Sequence, residues 1–574
     1  MSTTKTLVIC CTILSIALIA TVGYILLSND PEPEIIIIEA PTFSPDVVAE
    51  LEILAAETNY EEVFIAFSDV DSFQSGHVTI GLIASNPNAR IFYTTDGSIP
   101  TVDSYEYTDP MFFFSTRDMN ALVLRAIAVY GNQASEPITR TFFFGNQVFS
   151  RFDTLVFSIT SDPDGLFCHY NGILIDGILR EDYVRANPGS EFVAPDPANF
   201  NMRGMDAERP MYMEVFSPGG ELLFSQAAGI RTHGGWSRAH DQKSLRLIAR
   251  RIYSPGDGQF HFDFFPWDMS CDGNPITRYD TLILRNGGND RYFGILRHEL
   301  GSSLARNAGF TAVSPVRPAA VFINGEYYGF AWLQVRFNPQ YIENLFNTPT
   351  RNIDVVGMGE WWFDTEDPQV RHSLYHKQSY TTRDLSNDAI FAQLESIVDI
   401  ENMMFYYAFQ IFMGNSDWPH NNMRRWRYTG PELGLTETAD GRWRYIMFDL
   451  DWTLGLYGDD YTKPTFGRVL GGDEPGSALL QNILTRPEQA QRFAEIMVYI
   501  ADNVVNYYTV SEMLDYLLGS AYNEFSHALD AGKYPYWFGR YFMHYNHDNM
   551  LRFARYRYRK IFADIEHYLG IRVR

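Results

Sequence analysis

The chain has 574 residues, enough for more than one domain, and its 46% apolar and 15% aromatic content supplies core material that a disordered chain lacks. Asp plus Glu number 70 against 45 Lys plus Arg, a formal net charge of −25. A surface this acidic argues against nonspecific nucleic-acid binding, while leaving room for a local basic pocket. Residues 7–27 carry no charge and are long enough to cross a bilayer as a helix. Lys5 precedes them, and Asp30, Glu32 and Glu34 follow. This predicts an uncleaved transmembrane anchor at 1–28 with the body exported. Residues 29–60 are acidic and contain proline, which predicts a stalk with short local structure. Beyond the anchor only Cys168 and Cys271 remain, as one disulfide or as two thiols. No Cys/His cluster has zinc-site spacing.

Residues 61–148 read as a small all-β sandwich. Residues 78–84, 90–95, 121–129 and 138–144 have strand patterns, and turn sequences such as Asn86-Pro-Asn and Asp96-Gly separate the first three. With the phrase Tyr93-Thr-Thr-Asp-Gly-Ser-Ile-Pro-Thr101 this unit resembles the chitobiase/β-hexosaminidase C-terminal domain. The resemblance implies either a carbohydrate contact or a spacer, and the spacer is the reading preferred here.

Residues 153–574 have a mixed α/β texture. Strands are expected at 155–160, 211–216, 244–249, 281–285 and 319–323, and helices at 292–308, 400–413 and 487–507. A helical C-terminal lobe is expected at 511–531 and 547–569. Asn324-Gly325 is a hairpin signal. Asp399 and Gly414 bracket the 400–413 helix as caps, which puts Asp417 in the loop just after it.

Three motifs in this region carry chemistry. Gly229-Ile-Arg-Thr-His-Gly-Gly-Trp-Ser-Arg238 combines paired glycines, a hydroxyl and two arginines, a composition suited to cradling phosphate. Lys243 follows on the apolar face of a strand with Leu245 and Leu247, while Ser244 and Arg246 face the other way. Such a lysine either meets an anion at a cleft or snorkels to water. Asp417 and Asn422, five residues apart, suit hydroxyl positioning and metal binding, and Asn421 competes for the second role. Asp449 and Asp451 end a hydrophobic strand and are expected on one face, where a divalent cation would relieve their repulsion. The polar loop Leu284-Arg-Asn-Gly-Gly-Asn-Asp-Arg291 is a further candidate for the cleft wall.

With Phe322-Ile-Asn-Gly-Glu-Tyr-Tyr-Gly329 and Phe448-Asp-Leu-Asp-Trp-Thr-Leu-Gly455, these phrases resemble the CotH family of spore-coat kinase-like proteins across 153–570. The resemblance implies an atypical protein-kinase-like α+β fold that binds ATP with Mg²⁺ or Mn²⁺. It also implies phosphorylation of Ser or Thr in secreted, surface or spore-coat proteins. On that resemblance Asp417 is the catalytic aspartate, and Lys243 is a second catalytic residue on the phosphate-binding side. Asn422 with Asp449 or Asp451 holds metal, and Arg231, Ser237, Arg238, Lys243 and Arg285 face the nucleotide. The body would then sit at the cell surface or in a spore envelope. One departure stands out: the family has a Glu in the strand after the hairpin, where this chain has Gln334 and Val335. The alternative is a non-catalytic structural or adhesion protein that binds carbohydrate or protein partners.

Overall fold

The computed structural model describes residues 9–11, 21–24, 35–38, 41–57, 62–115, 117–358, 380–431, 434, 436–458, 460–474 and 476–573. They divide into two compact units. Unit 1 holds residues 1–175, 209–227 and 320–328, and unit 2 holds 176–208, 228–319 and 329–574.

The N-terminus corrects one expectation. Where residues 7–27 are described they form strands β1 (Ile9–Cys11) and β2 (Thr21–Tyr24), which pair antiparallel. β2 also pairs with β3 (Ile35–Ile38). Among the described residues no helix is long and apolar enough to cross a membrane. The transmembrane helix, and the membrane-anchored body inferred from it, are therefore withdrawn. In these stretches the backbone groups are met across a ladder, and the β-branched Ile35–Ile38 run favours that choice. The rest of 1–28 lies outside the described residues.

In unit 1, helix α1 (Pro45–Glu57) occupies part of the stretch read as a stalk. Strands β4 (Arg90–Thr94), β5 (Asn120–Tyr130) and β6 (Ile138–Phe144) follow, with β5 antiparallel to both others. Strand alternation sorts their side chains. Leu124, Phe142 and Phe144 pack with Val78 and Ile80, whereas Phe143 turns the other way onto Phe73, Phe152, Phe216 and Phe322. β6 is thus buried on both faces. β7 (Leu155–Ser161) pairs antiparallel with β8 (Arg209–Phe216).

Unit 2 contains an antiparallel succession of β9 (Leu222–His233), β10 (Ser244–Ile248), β11 (Thr281–Arg285) and β13 (Glu326–Val335). β12 (Val316–Ile323) precedes β13 through Asn324 and Gly325, both at positive φ, the turn that their sequence demands. β9, β12 and β13 each pass from one unit into the other. A second sheet joins β14 (Ile353–Met358), β15 (Met423–Tyr428) and β16 (Arg444–Ile446).

The longest helices of unit 2 among the described residues are α2 (Arg297–Asn307), α3 (Ile400–Met413), α4 (Pro487–Tyr499), α5 (Tyr507–Asp530) and α6 (Arg540–Leu569). The single helix expected over 487–507 ends early. A π-helical turn at Ile500–Val504 intervenes, and Asn506 caps α5 by accepting from the Tyr508 and Thr509 amides. Cys168 and Cys271 are both free thiols.

Glu214 on β8 is buried without a salt-bridge partner among the described residues, accepting from Thr141 Oγ1 at 2.6 Å. Burial pushes its carboxyl up to about 8, so the folded state holds it protonated at neutral pH. A carboxyl raised by folding contributes stability below its unfolded value, and that contribution fades as pH rises toward the folded value. Relative to Glu214→Gln, the wild type should lose up to about 1.4 kcal/mol of stability per pH unit between roughly pH 5 and 8. Urea unfolding of both proteins across that range measures the difference.

Candidate functional site

Unit 2 contains a cleft of about 550 Å³. One wall is the glycine loop after β9, from His233 to Arg238, with Ser244 and Arg246 of β10. The end of β11 contributes Arg285, Gly288 and Asn289, and the end of β13 contributes Gln334 to Phe337. Asp417, Asn421, Asn422 and Arg424, with Phe448, Asp449 and Asp451, complete the lining.

Arg285 is the electrostatic centre. Its Nη2 lies 2.6 Å from Asp451 Oδ1 and 3.5 Å from Asp449 Oδ1, and its Nη1 lies 3.6 Å from Glu299 Oε1. Its side chain is only 11% exposed, yet the three carboxylates hold its pKa above the ordinary arginine value. Gly288 leaves room for this contact: at φ +58 its added Cβ would fall 2.2 Å from Asp451 Oδ2 and 2.3 Å from Arg285 Nη2. Both Asp451 oxygens are spent, because Oδ2 accepts the Asn289 amide at 2.7 Å. Burial opposes the Asp451 charge, but Arg285 and the Asn289 amide override it and hold the carboxyl below the usual range. Asp449 moves the opposite way. Burial and the neighbouring Asp451 push it up to about 8, although its side chain, 39% exposed to the cleft, lets solvent screen part of that shift.

The expectation that an extended strand would align these two carboxylates is corrected. β16 stops at Ile446, and Asp449 has φ 54. A turn therefore brings them together. His298 on α2 steadies it, since its Nδ1 accepts the Leu450 amide at 3.0 Å. Burial and Arg285 push this imidazole down to about 3, so it is neutral and free to accept.

The loop after α3 is built from its caps. Asp399 accepts the Asn402 amide at 3.0 Å, and Gly414 ends the helix with φ 71. Asn415 Oδ1 then accepts the Asp417 amide at 3.0 Å. The Ser416 amide reaches Trp452 O and the Leu454 amide reaches Met413 O, which stitches this loop to the Asp449–Asp451 turn. Asn422 Nδ2 donates to Asp417 Oδ2 at 2.8 Å, and Asn421 Nδ2 to Oδ1 at 3.1 Å. Burial raises the Asp417 carboxyl above its ordinary value against these donors.

Arginines share the cleft with these carboxylates. Burial and the nearby Arg336, Arg231, Arg238 and Arg424 push the Arg246 guanidinium down to about 9. Arg424 lies 4.4 Å over the Phe448 ring. Arg336 and Arg424 form no ion pair among the described residues.

The structure thus gathers Ser237, Arg238, Arg285, Asp417, Asn422, Asp449 and Asp451 around one cleft. Lys243 and Arg231 do not line it. Lys243 Nζ donates to His240 O at 2.7 Å and sits 4.6 Å over the Phe200 ring, while Arg231 donates to Gly204 O. β10 has the two faces its alternation predicts, but the one turned to the cleft carries Ser244 and Arg246. Arg238 spends its donors on the carbonyls of Gly234, Phe200 and Met202. Sequence reasoning missed Glu299, whose Oε1 accepts Gln334 Nε2 at 2.9 Å. Its signal was a carboxylate three residues after Leu296 and next to Leu300 on the inward stripe of α2.

The family model described as CotH kinase protein matches residues 230–560, and the chain belongs to that family. Residues 72–140 match the chitobiase/β-hexosaminidase C-terminal domain. No curated protein matches the chain.

Arg285→Ala would leave three carboxylates without their shared cation and should cost about 3–5 kcal/mol in urea unfolding. Glu299→Gln keeps an oxygen for Gln334 and should cost under about 1 kcal/mol, because burial already pushes Glu299 up to about 8 and so keeps it largely neutral.

Proposed function

We propose that this protein transfers the γ-phosphoryl group of ATP to a serine or threonine hydroxyl of a polypeptide. The observation that carries this reading is that one cleft gathers an arginine cluster and a set of carboxylates. Arg246, Arg336 and Arg424 crowd together where an anion would relieve their repulsion, and Asp417 and Asp449 line the same cleft.

Asp417 would orient the acceptor hydroxyl and take its proton, and the upward displacement of its carboxyl suits a base. The hydroxyl oxygen bonds to the γ-phosphorus, the bond to the β–γ bridging oxygen breaks, and ADP leaves. Among the described residues no group of three or more His, Cys, Asp or Glu side chains is placed to hold a metal ion. The open oxygens are those of Asp449 and the Asn422 amide, since Asp451 is fully engaged. These two would hold a Mg²⁺ or Mn²⁺ ion, with phosphate and water completing its shell. When bound, such an ion neutralises phosphate charge. Arg285 keeps its place in the carboxylate cluster with Glu299, so the Gln at 334 hydrogen-bonds to that carboxylate instead of replacing it.

Incubation of the whole chain with labelled ATP and Mg²⁺ or Mn²⁺ tests the reading. Label should enter protein in the wild type and fall at least about 100-fold in Asp417→Ala and Asp449→Ala. Asp417→Ala should still bind ATP, whereas Arg246→Ala should bind it about tenfold less tightly. A wild type that neither binds ATP nor incorporates label with either metal sinks the proposal and leaves a non-catalytic binding role in its place.

A further inference from the structure

A second basic site lies on α6. Arg552, Arg555 and Arg559 stand at i, i+3 and i+7, so they share one helix face. That face opens on a groove of about 660 Å³ that Tyr461, Tyr507 and Tyr556 also wall. All three arginines are exposed. Arg555 lies 3.9 Å over the Tyr507 ring and Arg559 lies 5.0 Å over the Tyr556 ring. Among the described residues Arg552 and Arg555 form neither a hydrogen bond nor an ion pair. Arg559 donates to Tyr558 Oη at 3.4 Å, and in a chain of net charge −25 the three arginines are a concentrated positive charge.

Two acids flank the groove. Asp548 lines it, and Asp460, which accepts the Thr462 amide at 2.7 Å, feels the charge of Arg552. Acids at the margin repel a long polyanion and leave the centre to a compact dianion. Arginine forks and tyrosine hydroxyls are donors fitted to the several oxygens of a phosphoryl group.

The groove also connects to the cleft. Arg557, on the buried side of α6, donates to Ile411 O and Phe412 O at the end of α3. It donates as well to Tyr461 O at 2.8 Å and Lys463 O at 2.6 Å. Lys463 Nζ in turn donates to Ser416 Oγ, one residue before Asp417. A ligand held against Tyr461 therefore bears on the segment that braces the Asp417 loop.

We propose that this groove binds a phosphoserine or phosphothreonine of a polypeptide and that its occupation steadies the Asp417 loop. The origin of such a chain rests on the phosphotransfer reading, as an acceptor already modified once. Binding is therefore measured on full-length Asp417→Ala, so that a failure of phosphotransfer does not decide it. The probes are a neutral Gly/Ala peptide carrying one phosphoserine, its unphosphorylated twin, and sodium phosphate, read by calorimetry. The phosphopeptide should bind at least about tenfold more tightly than either other probe. The further exchange Arg552→Ala with Arg555→Ala, at exposed positions, should lower its affinity about tenfold or more. Amide hydrogen exchange at 411–417 should slow when the phosphopeptide is bound. Equal binding of the two peptides, or affinity that survives the double exchange, overturns the site. Inorganic phosphate binding as tightly as the peptide assigns the groove to the free anion and overturns the polypeptide claim. Unchanged exchange at 411–417 overturns the regulatory one.

Discussion

The cleft depends on one buried cation. Arg285 stands at the end of β11 among Asp449, Asp451 and Glu299, and each of these contacts makes the others tenable. Three carboxylates in apolar surroundings would otherwise repel one another or bind protons. The single guanidinium divides them unevenly. Asp451 is held ionised with both oxygens engaged, Glu299 is held largely neutral, and Asp449 is left open to the cleft. This unequal division separates a structural carboxylate from one that is free to meet a ligand.

Much of the surrounding structure keeps that balance in place. Gly288 gives up its side chain so that Asp451 and Arg285 can meet. His298, kept neutral, fixes the backbone between the two aspartates. Asp290 accepts the Gly294, Leu296 and Arg297 amides, so it anchors the start of α2, the helix that carries Glu299. The Asp417 loop is braced in a similar way. Its backbone ties to the Asp449–Asp451 turn, and Arg468 donates to Asn415 O at 2.8 Å. Asp417, Asn422, Asp449 and Asp451 thus sit on loops that follow helix α3 and strand β16.

The legibility of these features followed the range of the forces involved. Helix α3 agreed with its expected limits because Asp399 and Gly414 are local caps, and the Asn324-Gly325 hairpin is equally local. The sandwich strands around β5 and β6 were readable from alternation and turn residues. Asp449 and Asp451 were misread as neighbours on a strand, because their approach depends on a left-handed turn and on His298, distant in sequence. The apolar run at 7–27 read as a helix on hydropathy, which does not register the ladder that β1 and β2 form. Glu299 was missed because its importance lies in the distant Arg285 and Gln334.

By itself the sequence determined the order and chemical type of the cleft residues, the capped helix before Asp417, the β-rich N-terminal part and the helical C-terminal part. Those are consequences of spacing, capping and periodicity, which act over a few residues. Only the tertiary structure decided which face of β10 lines the cleft, and so that Arg246 stands there and Lys243 does not. It alone decided that Asp451 is spent on Arg285 and Asn289 while Asp449 stays open. Those outcomes depend on charge and burial summed over residues more than a hundred positions apart, and local sequence does not encode that sum.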